Sequence, residues 1–240
     1  MAKKKKQNRK TIQPMLLIPV RWVQRWFWRS VLIVLFVVVT VVAGHRALMP
    51  PRTYYMGQEA RRLGGVKYQW VALDDVAPVM ARSLVAAEDA NFCAHWGFDV
   101  VAIRKAIDQG SKRGASTLTQ QVVKNTYLWH GRSYARKAME AALTPLVELF
   151  WTKRRIIEVY LNVAEFDEGV FGIYAASQHY FGVTPDQLSP RQAARLAVVL
   201  PSPKKRSASK PTAQLRRRAA SVMDGAATIG RDGRANCFED

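Results

Sequence analysis

A mostly α-helical fold preceded by one N-terminal transmembrane helix is what this sequence predicts, on three observations. An uncharged, almost wholly apolar run, VLIVLFVVVTVVAG, occupies residues 31–44. From residue 77 onward, apolar residues recur at helical spacing between Gly and Pro breaks. Only one segment, VKYQWVAL at 66–73, looks strand-like. With 240 residues and 49% hydrophobic content the chain can pack a core, which excludes large-scale disorder.

The charge of +19 points toward nucleic acid only until its distribution is read. The first 58 residues hold eleven Lys or Arg and no Asp or Glu, so residues 59–240 carry 26 basic against 18 acidic groups, or +8. Most of the excess therefore lies beside the apolar run. The remaining +8 suits an anionic substrate or an anionic lipid surface, and no nucleic-acid recognition motif accompanies it.

The apolar run alone is short of the ~20 residues a bilayer requires. Trp26, Phe27 and Trp28 can sit at the interface with Arg29 reaching the headgroups, so the predicted span is 26–48. Nine basic residues precede the apolar run and only Arg46 and Arg52 follow it closely, which leaves 1–25 cytoplasmic and the body of the chain extracytoplasmic. Val41-Val42-Ala43 before Gly44 resembles a signal-peptide cleavage site, but the long basic and aromatic stretch RWVQRWFWR reads as an interfacial anchor.

Residues 49–74 read as a connector, opened by Pro50-Pro51 and broken at Gly64-Gly65. Helices are then predicted at 77–89 and, capped by Asp99, at 100–109. A flexible basic loop, GSKRG, follows at 110–114. Ser116 or Thr117 caps the next helix, and 134–162 is one long helix or two in succession with Pro145 as kink or junction. Thr184-Pro185 starts a short helix, and Ser189-Pro190 starts one that stops at Pro201. From Pro203 the chain turns basic and polar, the final GRDGRANCFED has no apolar period, and 206–240 is predicted to be a mobile tail. Cys93 and Cys237 have no metal-ligand spacing with the four histidines. An oxidising compartment would permit their pairing, but the reading taken is a buried Cys93 and a loose Cys237.

Chemistry concentrates in EDANFCAHWG (88–97) and GASTLTQQVVKN (114–125). Glu88 can remove a proton, while Ser116, Thr117, Gln120, Gln121 and Lys124 offer donors for an anionic or sugar-bearing substrate. Thr117, Gln120, Gln121 and Lys124 follow i, i+3, i+4, i+7 and form one polar helix face. A solvated face is the plain explanation, but such faces favour Glu and Lys over paired glutamines. Arg136 and Lys137 precede Glu140 by one turn and share its face. Asp89 orients the first motif, and His95 is a structural imidazole, since no nucleophile elbow supports a triad with Ser116.

Taken in order, EDANFCAHWG, GASTLTQQVVKN, RKAME (136–140), KRRIIEVYLN (153–162), HYFG (179–182) and LSPRQAARLAVVLPSP (188–203) resemble the glycosyltransferase family 51 domain. The resemblance covers about 75–205 and is to its monofunctional form, since no transpeptidase domain follows. It implies a lysozyme-like domain with a larger lobe and a smaller membrane-associated lobe. The implied activity is polymerisation of lipid II into β-1,4-linked glycan with release of polyprenyl pyrophosphate, at the outer face of the cytoplasmic (inner) membrane. It implies Glu88 as general base and Glu140 as assisting near the donor pyrophosphate. Ser116, Thr117, Gln120, Gln121, Lys124, Asn125, Arg136 and Lys137 fall on substrate positions, and Arg132 joins them from local charge. A pyrophosphate leaves without an acid's help but benefits from cations, which Lys124, Arg136 and Lys137 supply. No cofactor is required, although Mg2+ or Mn2+ could be recruited by carboxylates and pyrophosphate. The implied partners are lipid II, the growing glycan strand, the membrane and cell-wall assembly proteins. A lysozyme-like lytic enzyme and a non-enzymatic membrane scaffold are the rival readings.

Overall fold

The computed structural model describes residues 17–108, 110, 116–131 and 133–239, so the N-terminal basic stretch, most of the loop at 110–114 and Arg132 lie outside the described residues. The chain divides into two units, 1–41 and 42–240. In the first, helix α1 (Leu17–Gly44) contains the one helix segment among the described residues that is long and apolar enough to cross a membrane, Arg21–Gly44. Trp26, Phe27, Trp28 and Leu32 to Val37 are exposed around it, which is how a lipid-facing helix distributes its apolar residues. The helix closes at Gly44 and a turn follows, short of the predicted limit at 48, and the apolar candidate segment begins at Arg21.

The connector predicted at 49–74 is folded as part of the second unit. Thr53 caps α2 (Tyr54–Leu63) by accepting from the Met56 N–H at 3.2 Å, and Gly64 ends it in the left-handed region at φ 76°. Only Lys67–Tyr68 of the strand-like segment forms a strand, β1. It pairs in parallel with β3 (Val170–Phe171), which pairs antiparallel with β2 (Glu165–Asp167). Buried Asn162 fastens the rest of the connector, accepting from Val71 N at 2.9 Å and donating to Val71 O at 2.8 Å. The Pro and Gly pairs that read as breaks are the bounds of a helix.

Helices α3 (Pro78–Glu88), α4 (Val100–Asp108), α5 (Leu118–Tyr127), α6 (Tyr134–Phe150), α7 (Lys153–Val163), α8 (Gly172–Phe181) and α9 (Pro190–Val199) follow. The 134–162 region is two helices, but the junction is not Pro145, which sits inside α6. It falls at Trp151-Thr152, where the Thr152 hydroxyl accepts from Arg155 N at 3.1 Å and caps a new helix. Ser189 builds the expected N-terminus of α9, with Gln192 completing a capping box. The core is formed by Met80 and Leu84 of α3, Leu118 and Val122 of α5, Ile156, Ile157 and Leu161 of α7, and Leu196 and Val199 of α9, all fully buried.

The 206–240 tail is not a loose appendage. Residues 213–231 form α10 (Ala213–Arg231), which packs on α3 and α9, and Asn236–Glu239 form a final turn, α11. Leu215, Ala219, Val222, Ala226 and Ile229 make its buried stripe. The stripe is thin because two of its five members are alanine and arginines interrupt it. Gly225 and Gly230 permit the close approach, since a Cβ there would meet Ala86 Cβ at 3.2 Å and the Arg82 guanidinium at 2.8 Å. Cys93 and Cys237 are joined in a disulfide, so neither is the free thiol expected from the sequence. Phe238 is buried beside Cys237, and Arg82 holds Glu239 through two hydrogen bonds of 2.6 and 2.8 Å. These contacts seat the C-terminus.

Candidate active site

Glu88 is the last residue of α3, at the point where the chain leaves helical geometry. Asp89 is buried and fixes that exit: one carboxylate oxygen accepts from Leu118 N at 3.0 Å and the other lies 2.8 Å from His95 Nε2. The sequence roles given to Asp89 and His95, orienting and structural, are the roles this geometry allows. Lys153 supports the same loop from α7, donating to His95 O at 2.8 Å and to Glu148 at 2.9 Å. Gly97 closes the loop at φ 83°, packed on Thr144 and Glu148.

The Glu88 carboxylate accepts from Gln121 Nε2 at 3.0 Å, and the Gln121 amide oxygen accepts from the Tyr160 hydroxyl at 3.0 Å. The tyrosine therefore sets which end of the amide faces Glu88. Burial raises the Glu88 pKa, opposed by the Gln121 hydrogen bond and by the charges of Arg218, Arg206 and Lys124. Burial pushes Lys124 down, with Glu140 and Glu88 pulling it back up and Arg136 and Lys137 adding to the fall.

Two cavities meet here. The larger, about 890 Å³, is lined by Glu88, Ser116, Gln121, Lys205, Arg206 and Arg218 among others. The smaller, about 340 Å³, is lined by Gln121, Lys124, Asn125, His130, Tyr160 and Lys204 among others. They share Gln121, Pro201 and Lys205 and so form adjoining chambers of one groove. In the larger, four cations (Lys205, Arg206, Lys210 and Arg218) face a single carboxylate, Glu88. In the smaller, burial with Lys124, Arg136 and Lys204 lowers His130 to about 4, which keeps that ring neutral at pH 7.

Glu140 anchors a third group. It is buried, accepts from Arg136 NH1 at 2.7 Å, and pairs with Lys137, whose ammonium also donates to Ser116 Oγ at 3.1 Å. Arg136 and Lys137 are thus already neutralised in part, and the trio carries one net positive charge. Ser116 links this cluster to the larger chamber.

The predicted polar stripe divides. Gln121, Lys124 and Asn125 line the groove, but Thr117 and Gln120 are buried. Thr117 Oγ1 accepts from Gln120 N at 3.3 Å and donates to Gly97 O at 2.7 Å, while Gln120 Oε1 accepts from Thr117 N at 3.1 Å. The capping box uses both side chains to start α5, so they build the site's wall and do not line the groove. Arg132 lies outside the described residues. The sequence reading missed Tyr160, Lys205, Arg206, Lys210 and Arg218. The signal for the last was present in Arg216-Arg217-Arg218 embedded in the thin apolar stripe of α10.

A family model described as Transglycosylase matches residues 56–227, thus including most of α2 and most of α10. The chain is 51% identical over 238 residues to the biosynthetic peptidoglycan transglycosylase of Jannaschia sp. (strain CCS1), covering 99% of each chain. It is 42% identical to that of Caulobacter vibrioides, covering 90% of this chain and 98% of the relative. With the protein of the same name from Pseudomonas fluorescens it shares 52% identity over 168 residues, 68% of this chain and 70% of the relative. On a match across most of its length and on the groove that those residues form, the chain belongs to the transglycosylase family, as a peptidoglycan glycosyltransferase.

Proposed function

We propose that this chain polymerises lipid II by inverting displacement, with Glu88 as general base. Glu88 takes the proton from the 4-hydroxyl of the acceptor N-acetylglucosamine, and that oxygen attacks the anomeric carbon of the donor N-acetylmuramic acid. The α-linked pyrophosphate becomes a β-1,4 bond, and polyprenyl pyrophosphate leaves. A base with its pKa raised toward working pH accepts a proton more readily, and the burial of Glu88 acts in that direction. Lys124 and the net-positive Glu140 cluster stabilise charge on the departing phosphates, with Glu140 holding Arg136 and Lys137 in place.

The observation that carries this reading is the charge of the larger chamber, four cations around one carboxylate. A groove for finished, uncharged glycan backbone gains nothing from that excess, whereas a pyrophosphate-bearing substrate does. The N-terminus is assigned to the cytoplasm and the folded unit to the outer face, supported by the basic residues that precede α1's apolar run. The reaction so written requires no resident metal, although carboxylates and pyrophosphate could recruit Mg2+ or Mn2+, and the polymerisation rate with and without a chelator tests that.

The decisive experiment gives the full chain lipid II and, separately, purified wall glycan. Polymer from the first and no soluble fragments from the second are expected; fragments from glycan would replace this reading with the lytic one. Glu88→Gln should cost about two orders of magnitude in polymerisation, the scale of a lost general base. Polymerisation at the parental rate would remove Glu88 from that role.

A further inference from the structure

The C-terminal segment touches α3 and the loop that follows Glu88 at four places, two on each. Cys237 is bonded to Cys93, five residues beyond Glu88. Arg234 NH1 donates to Ala90 O at 3.3 Å, and Arg218 NH2 donates to Ala87 O at 3.3 Å. Arg82, on the helix that carries Glu88, holds Glu239. Both long arginine contacts are exposed, so water competes for them. Of these links between the loop and the C-terminal segment, the covalent one is the link that water and salt cannot loosen. The groove wall that faces Glu88 is carried by this segment, because Arg218 lines the larger chamber from α10.

We propose that the Cys93–Cys237 disulfide is a latch that positions the Glu88 loop against Arg218 of α10 across the larger chamber, so that opening it lowers turnover while the domain stays folded. The proposal rests on the reading of Glu88 as base. Closing the latch takes two thiols to one disulfide, with two electrons and two protons passing to a disulfide donor of an oxidising compartment, which leaves as a dithiol. The latch therefore also ties full activity to the oxidising side of the membrane, where the substrate is presented. Asp89 and Phe92 hold the first part of the loop independently, so the open form keeps its fold and its substrate contacts.

The test uses the full chain in detergent micelles with lipid II, well below its melting temperature. One sample is as purified from an oxidising compartment, and one is treated with dithiothreitol, which is converted to its cyclic disulfide as the protein gains two thiols. Mass shift with a maleimide should count no free thiols before treatment and two after. The expected result is a fall of about tenfold in kcat with KM within about twofold, recovered on reoxidation and reproduced by Cys93→Ser with Cys237→Ser. Two free thiols in the untreated chain, equal kcat in both states, or loss of the fold on reduction would each overturn the latch. Glu88→Gln run in parallel keeps the two readings apart. An inactive Glu88→Gln with redox-independent parental turnover defeats the latch alone, and an active Glu88→Gln defeats the base assignment.

Discussion

Replacing Gly97 by alanine should destabilise the folded unit by about 3 kcal/mol, and the structure says where that energy is lost. At φ 83° an L-residue is held in the left-handed region, which costs about 1 kcal/mol. The added Cβ would stand 2.6 Å from Thr144 Cγ2 and 3.1 Å from Glu148 Cγ, inside the contact limit of both. Relief requires α6 or the loop to move, at roughly 1–3 kcal/mol for an overpacked site. Neither can move freely: Thr144 donates to Glu140 O at 2.7 Å, Glu148 accepts from Thr119 at 2.5 Å, and Gly97 O accepts from Thr117 at 2.7 Å. For a domain of this size the melting temperature should fall by roughly 6–12 °C, read by circular dichroism on the full chain in micelles. Thr144→Ser removes the clashing methyl and keeps the hydroxyl bond, so the double variant should recover about half of the loss. A Gly97→Ala chain that melts with its parent, or a double variant with no recovery, would falsify this account.

Three further outcomes follow from the same geometry. The raised carboxyl of Glu88 contributes stability below its unfolded value near 4.5 that is lost as pH rises through the folded value; Glu88→Gln should thus match its parent at pH 4 and melt higher at pH 8, and a lower melt at pH 8 would contradict the burial argument. Asp89→Asn sets an amide N–H against either Leu118 N or the His95 ring, which should cost about 1–3 kcal/mol in a thermal melt, whereas Asp89→Ala with an equal or smaller loss would show that hydrogen bonding there is unimportant. The disulfide closes a separation of 144 residues, so reduction should destabilise by about 3–5 kcal/mol in denaturant titration, and a midpoint insensitive to dithiothreitol would rule that contribution out.

What the sequence made legible was local. Ser189 starts α9 as read, by hydrogen-bonding a backbone N–H three residues on, a signal that needs no tertiary partner; Thr53, Thr152 and Thr212 start helices in the same way, in segments that the sequence reading takes as connector, Pro145 junction and tail. Thr117 shows how the same signal can be misread. Thr117-Leu118-Thr119-Gln120 satisfies both a polar stripe and a capping box, and the box prevails because the four orphan N–H groups of α5 lie within reach of those side chains. The stripe then begins functionally only at Gln121. What stayed hidden was what other elements supply: the partner of Cys93 lies at position 237, and the burial of α10 depends on small residues and glycines meeting α3. Their individual apolar signals fall below what periodicity detects.

The groove's electrostatics depend on that hidden part. Of Lys124, Arg136 and Lys137, the latter two are committed to Glu140, which leaves Lys124 as the one of the three without an ion-pair partner among the described residues. A single partly desolvated lysine, its charge already disfavoured by burial, is a weak counter to two phosphates. The supply is completed by Lys205, Arg206, Lys210 and Arg218, all C-terminal to α9. Guanidinium groups resist losing their charge on burial where lysine does not. The two arginines nearest in effect to Glu88, Arg218 and Arg206, act against the burial that raises its pKa. Glu88, whose carboxyl burial makes harder to ionise, and Arg218, which lines the same chamber from α10, come from distant parts of the chain, so Arg218 reaches the groove only once α10 has packed.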